Sequence, residues 1–265
     1  MAKARKKLTV PKFVSRKQDG SKLTMLTAYD YTMAVLLNQA GVDSILVGDS
    51  MAMVVQGHET TLPVTLDEMI YHAKMVTRGA PDTMVIVDLP FPTNHLGVEA
   101  TIASAGRILK ETGCTAVKLE GGKDQADVIA ALVSAGIPVL AHSGLRPQNV
   151  HAMGGYKVQR EEDSLMADAL AAQEAGAFGI VLECIPASIG KSISERLEIP
   201  TIGIGAGPHC DGQVLVIHDL IGLTTGYVPS FVKPLADVGN QIQNAVRQWD
   251  SDVREGRFPS EEQSF

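Results

Sequence analysis

One unit recurs along this chain: an amphipathic helical segment, a glycine that ends it, a short run of Val, Ile and Leu, then an acidic or polar residue. Apolar runs with little alternation are how strands covered on both faces read, so the repetition calls for a parallel sheet wrapped in helices. The first helix is expected over residues 30–39, with Asp30 as N-cap, Met33, Leu36, Leu37 and Ala40 on one face, and Gly41 as its stop. The strand Ser44–Val47 follows. The next helix opens on a capping box, Thr65-Leu66-Asp67-Glu68, carries the stripe Leu66, Met69, Ile70, Ala73 and Val76, and ends at Gly79 and Pro81. "MVIVDLP" (84–90), "AVKLE" (116–120), "PVLAHS" (138–143), "GIVLE" (179–183) and "TIGIGAG" (201–207) read as further strands. "KLTMLTAYD" (22–30) fits a first strand and "GQVLVIHDL" (212–220) an eighth.

Seven to eight β-then-α units without an obvious linker predict an α/β fold, a single (β/α)₈ TIM barrel over residues 1–265. A basic N-terminal arm is expected over about residues 1–10, and a closing helix (235–250) and tail over about 235–265. An open doubly wound sheet is the structural rival. The pattern is thinnest at the eighth unit, where too few residues separate "TIGIGAG" from "QVLVI" for a full helix.

A net charge of −7 argues against nucleic acid or an anionic membrane as the main partner. The basic run Lys3-Ala4-Arg5-Lys6-Lys7 reads as a solvated arm. No apolar run approaches the roughly 18 residues that a membrane span needs. The N-terminus lacks a signal peptide's apolar core, and a cytoplasmic enzyme is expected. Cys114, Cys184 and Cys210 form no CxxC pattern and read as reduced thiols rather than a disulfide framework or zinc site.

Asp49, Asp88, Glu120 and Glu183 each end or directly follow a different strand-like run, with Lys118 and His142 at the same level. In a parallel barrel all C-terminal strand ends share one face, so these residues converge there. Singly, Asp49 could cap a loop, Asp88 could stabilise a turn and Glu183 could form a salt bridge at the rim. Together, buried carboxylates need partners or a metal. Oxygen donors without a His/Cys cluster suit a hard cation, Mg²⁺, which can hold an α-keto acid and stabilise an enolate. Lys118 faces the same side as Glu120 and could hold an anionic oxygen or pair with an acid. Glu183, apart in sequence from the proposed metal set, is the candidate general base.

"GIGAG" (203–207) could cradle an anion or simply turn the chain, and no Walker or GxGxxG sequence makes a nucleotide site. His209-Cys210-Asp211 are too close together for a metal motif. His58, His72, His95, His151 and His218 have no helpful spacing, and Cys184 lacks a His partner that would make it a nucleophile.

The stretches "TAYDY" (27–31), "VGDS" (47–50), "VQGHETTLPVTLDEM" (55–69), "DLPF" (88–91), "VKLEGG" (117–122), "GGYKVQ" (154–159), "VLEC" (181–184) and "IGIGAGPHCDGQVLV" (202–216) together resemble the ketopantoate hydroxymethyltransferase family. The resemblance implies a barrel of the phosphoenolpyruvate/pyruvate superfamily, a homo-oligomer (commonly a decamer), and hydroxymethyl transfer from 5,10-methylenetetrahydrofolate to 3-methyl-2-oxobutanoate on the way to pantothenate. By motif it implies Asp49, Asp88 and Glu120 as Mg²⁺-associated acids, with Asp49 and Asp88 also at the substrate. It further implies Ser50, Lys118 and His142 as contacts to the keto acid and Glu183 as the base at C3. The chain departs from the family pattern at Ala52, at Pro92-Thr93-Asn94, at Ala141 and Ser143 around His142, and in a shortened Arg160-Glu161-Glu162-Asp163 segment. These departures motivate a second expectation, a Mg²⁺ lyase or aldolase of the same superfamily acting on another 2-oxo acid. A third is a non-catalytic barrel, which the intact acids oppose.

Overall fold

The strands are β1 (Leu23–Thr27), β2 (Ser44–Val47), β3 (Met84–Asp88), β4 (Ala116–Lys118), β5 (Val139–Gly144), β6 (Gly179–Glu183), β7 (Thr201–Ile204) and β8 (Gly212–Leu215). Each pairs in parallel with the next, and β1 pairs with β8 in the register Met25↔Val214, which closes the ring. This is the expected TIM barrel, and closure removes the open-sheet rival. The computed structural model describes residues 7–265, so residues 1–6 of the expected basic arm lie outside the described residues. The chain divides into two compact units, Met1–Val216, which holds the whole barrel, and Ile217–Phe265.

The connection from β7 to β8 contains no helix. Asp211 secures it instead, accepting from the Thr201 backbone N–H at 2.9 Å, the Thr201 hydroxyl at 3.0 Å and Lys17 Nζ at 2.7 Å. The barrel interior is filled by Leu23, Met25, Leu46, Met84, Ile86, Ala116, Leu140, Val181, Ile202 and Val214. Phe13 joins this cluster from a helix over Val10–Gln18 that the hydrophobic pattern did not reveal; its ring meets Phe178 edge-on at 5.3 Å. What reads as the end of a basic arm is therefore partly an anchored helix.

Local signals elsewhere act as expected. Asp30 accepts from Met33 N, and Gly41 ends that helix in the left-handed region at φ 84°. The Thr65–Glu68 capping box forms in both directions. The buried face of the first βα helix differs from the expected stripe: Ala34 and Leu37 are buried, whereas Leu36 and Ala40 are exposed. Gly79 of the following helix packs so closely that a Cβ there would stand 2.6 Å from Tyr31 O and 2.8 Å from the Ala34 Cβ, which rotates the contact onto the alanine side. In the second unit a helix spans Val238–Arg254, so residues 251–254 of the expected tail are helical. No helix of the described residues is long and apolar enough to cross a membrane.

The two-residue period of a strand explains how the barrel places chemistry at its mouth. Interior positions run Ile86 then Asp88, Ala116 then Lys118 then Glu120, Leu140 then His142, and Val181 then Glu183. Each of these four strands buries an apolar residue in the barrel and presents a polar one on the same face two residues on, at the C-terminal end.

Candidate active site

Asp88 and Lys118 are register partners on β3 and β4, and Lys118 Nζ stands 2.8 Å from Asp88 Oδ1. The second Asp88 oxygen accepts the Asp49 backbone N–H at 3.1 Å. Burial opposes a charged Lys118, yet the surrounding Asp88, Glu120 and Asp49 outweigh it and keep the ammonium protonated well above the usual range. Lys118 therefore both pairs with an acid and presents a fixed positive charge, which joins its two expected roles.

On the far side, His142 on β5 faces two carboxylates. Its Nε2 lies 3.1 Å from Glu183 Oε2 and its Nδ1 3.9 Å from Glu120 Oε1. The first lacks the alignment of a hydrogen bond and the second is too long for one, so both ring nitrogens are buried without one. Burial first, and then the Lys118 charge, hold the imidazole well below its ordinary pKa, and it is neutral near pH 7. Burial raises the Glu183 carboxyl to about 7, with Lys118 working in the opposite direction. A carboxyl with that pKa beside a neutral imidazole is poised to exchange a proton at neutral pH.

Asp49 is pushed up to about 7 by burial and then by Asp88, while Glu120 is raised well above its usual range by burial and then by Asp49. Asp49, Asp88, Glu120 and Glu183 thus share one mouth with Lys118 as the cation among them, an excess of buried negative charge that a hard divalent cation would relieve. The donors are all carboxylate oxygens, which fits Mg²⁺ on chemistry. Among the described residues, no three His, Cys, Asp or Glu groups converge closely enough to hold an ion as they stand.

A residue that sequence reasoning missed lies between the acids. Gln148, in the loop after β5, donates through Nε2 to Asp49 Oδ2 at 2.8 Å and through its backbone N–H to Glu120 Oε2 at 3.0 Å. No local pattern marks it; its place in "LRPQNV" becomes meaningful only when the loop folds over the mouth. Tyr29, inside the quoted "TAYDY" but assigned no role, lies 2.8 Å by its hydroxyl from Ser50 Oγ. Burial drives this phenol's pKa upward, so it stays protonated. Gly48 makes room for that pair, since a Cβ there would stand 2.8 Å from Ser50 Oγ.

The seven expected residues, Asp49, Ser50, Asp88, Lys118, Glu120, His142 and Glu183, all lie at this end of the barrel. The departing segment at Asn94 borders it, since Asn94 Nδ2 donates to the Glu120 carbonyl at 3.2 Å, whereas Ser143 faces away from His142 and donates to Asp168 in the helix Glu162–Glu174 at 3.3 Å. The remaining expectations fall outside the site: His72 Nδ1 lies 2.6 Å from Tyr29 O, all three cysteines are free thiols, and "GIGAG" is the end of β7 and the start of the turn that leaves it. Cys184 is half-buried, and burial pushes its thiol up to about 12, which rules against a ready nucleophile.

Known proteins resemble this chain in sequence and in fold. A sequence model of the family described as ketopantoate hydroxymethyltransferase matches residues 7–261. A protein of Rhodopirellula baltica named 3-methyl-2-oxobutanoate hydroxymethyltransferase is 52% identical over 99% of this chain and 98% of its own length. One of the same name from Trichlorobacter lovleyi is 54% identical over 98% of this chain and 99% of its own. Among solved structures, a phosphonopyruvate hydrolase crystallised with oxalate and Mg²⁺ superposes with a TM-score of 0.64 at 14% identity, covering 96% of this chain and 93% of its own. A 2,3-dimethylmalate lyase of the PEP mutase/isocitrate lyase superfamily gives 0.61 at 16%, covering 97% and 91%. At such identities the two structures establish the fold alone.

Proposed function

This chain belongs to the ketopantoate hydroxymethyltransferase family, and from that premise we propose how its own residues carry the reaction. The enzyme is a 3-methyl-2-oxobutanoate hydroxymethyltransferase of pantothenate biosynthesis. The keto acid and 5,10-methylenetetrahydrofolate, with one water, give ketopantoate and tetrahydrofolate. Glu183, as carboxylate, removes the C3 proton of the keto acid. The electron pair passes into the adjacent C2 carbonyl as an enolate. C3 then bonds to the one-carbon unit as that carbon's two bonds to the folate nitrogens break; the water supplies the new hydroxyl, and the C3 proton with one proton of the water goes to the nitrogens of the departing tetrahydrofolate. Lys118 places its ammonium where the substrate's anionic oxygen lies. Neutral His142 stands against Glu183 and offers a ring nitrogen to the same substrate, while Ser50, positioned by Tyr29, contacts its carboxylate. Asp49 and Asp88 line the substrate side.

Asp49, Asp88 and Glu120 would hold Mg²⁺, which supplies Lewis-acid polarisation of the keto acid when bound. The support is the charge excess and the all-oxygen donor set. We further propose a cytoplasmic homo-oligomer, decameric as the family resemblance implies.

The observation that carries this reading is the placement of Glu183, raised to about 7, against neutral His142 at the end of the same barrel wall that carries Lys118. The test is an assay of purified protein with 3-methyl-2-oxobutanoate, methylenetetrahydrofolate and Mg²⁺. Ketopantoate formation is expected. A folded protein that makes none, or that cleaves a hydroxy-oxo acid without folate instead, overturns the assignment.

A further inference from the structure

Gln148 touches three strand ends at once. Its Nε2 donates to Asp49 Oδ2, beyond β2, at 2.8 Å and to the carbonyl of Leu89, the residue after Asp88 on β3, at 3.0 Å. Its backbone N–H donates to Glu120 Oε2, beyond β4, at 3.0 Å. The side chain is 5% exposed, and its Oε1 is buried with no hydrogen-bond partner. A glutamine that merely filled the loop would satisfy its acceptor as readily as its donors. Here both amide hydrogens are committed to the acid-bearing strand ends, and the acceptor is left open.

We propose that Gln148 is the positioning residue of the cation site. By fixing one oxygen of Asp49 and one of Glu120, it leaves the other oxygen of each carboxylate to turn to a divalent cation, and through Leu89 it ties the Asp88 strand end to the same frame. Ligating carboxylates are commonly oriented by such outer contacts, whose loss weakens metal binding about 10–100-fold. This inference rests on the cation reading given above and goes beyond it in naming the residue that assembles the site.

The experiment titrates Mn²⁺, followed by its electron paramagnetic resonance signal, into the full chain without keto acid or folate. Gln148→Leu should raise the dissociation constant about 10–100-fold relative to wild type, with the metal-free variant still folded by circular dichroism. At saturating Mn²⁺ the variant should recover exchange of the keto acid's C3 hydrogen with D₂O, because the base is untouched. If the leucine variant does not fold, the unbranched Gln148→Met variant of similar length carries the same test. Wild-type binding with equal affinity in the variant overturns the role of Gln148 alone. Failure of wild type to bind Mn²⁺ overturns the cation reading with it.

Discussion

Glu183 and His142 show how burial sets the chemistry of two neighbouring residues. The Glu183 carboxyl, ordinarily near 4.5, is raised to about 7. Between those values the unfolded chain releases the proton while the folded chain keeps it, so this group's contribution to stability falls as pH rises through the window and is constant above it. Glu183→Gln cannot ionise. Its thermal midpoint is therefore expected to gain on wild type from about pH 5 to about pH 8, and a constant gap in paired melts would contradict the raised pKa. The same variant should lose about 10²–10⁴-fold in kcat/KM as the proposed general base. In wild type, kcat/KM should climb as pH passes about 7, since only the ionised base accepts the C3 proton. A profile level from about pH 6 to about pH 8 would assign the base elsewhere. Lys118→Met removes the cation from a buried pair with Asp88 and leaves that carboxylate uncompensated. A destabilisation of about 3–5 kcal/mol by denaturant titration is expected from breaking such a pair.

At the scale of the element, the end of β5 and the end of β6 form one joint. Gly144 is the register partner of Glu183 and has φ 97°, and a Cβ there would stand 2.2 Å from the Glu183 carbonyl oxygen. That carbonyl also accepts the Leu145 N–H at 2.8 Å. Gly144→Ala must push β6 outward or twist the turn, so it should cost at least about 1–3 kcal/mol and take activity down with it by moving the base. Thr65→Ala provides the contrast, because it deletes a helix cap whose side-chain hydrogen bonds join it to Glu68, outside that joint. About 1 kcal/mol of stability should be lost, with kcat/KM unchanged. If both variants lost activity alike, the joint would have no special role. Helix starts and stops were legible in sequence because caps act within four residues. The helix Val10–Gln18 was not, since its meaning lies in Phe13 reaching Phe178, and only the folded barrel brings that partner close.

For the whole molecule, the proposed cation site predicts that stability rises when a divalent cation binds among the buried carboxylates. Mg²⁺ at about 100 times its dissociation constant should add about 2.7 kcal/mol. For a chain of this size that is about 5–10 °C in thermal midpoint. A chelator should reverse the gain, and an unchanged melt with and without Mg²⁺ would show that the acids hold no ion.

The repeating strand–helix pattern and the acids at strand ends were written in the sequence, since burial on both faces and the two-residue period act over a few neighbours. They determined a barrel and put Asp49, Asp88, Lys118, Glu120, His142 and Glu183 at its mouth. Which group meets which was decided by the tertiary structure alone. The pairing of Lys118 with Asp88, the approach of His142 to Glu183 and the bridging by Gln148 depend on strand register around a closed ring. They also depend on a loop folding over residues far away in the chain. No local preference encodes such distances, because only ring closure and core packing bring these groups within a few ångströms.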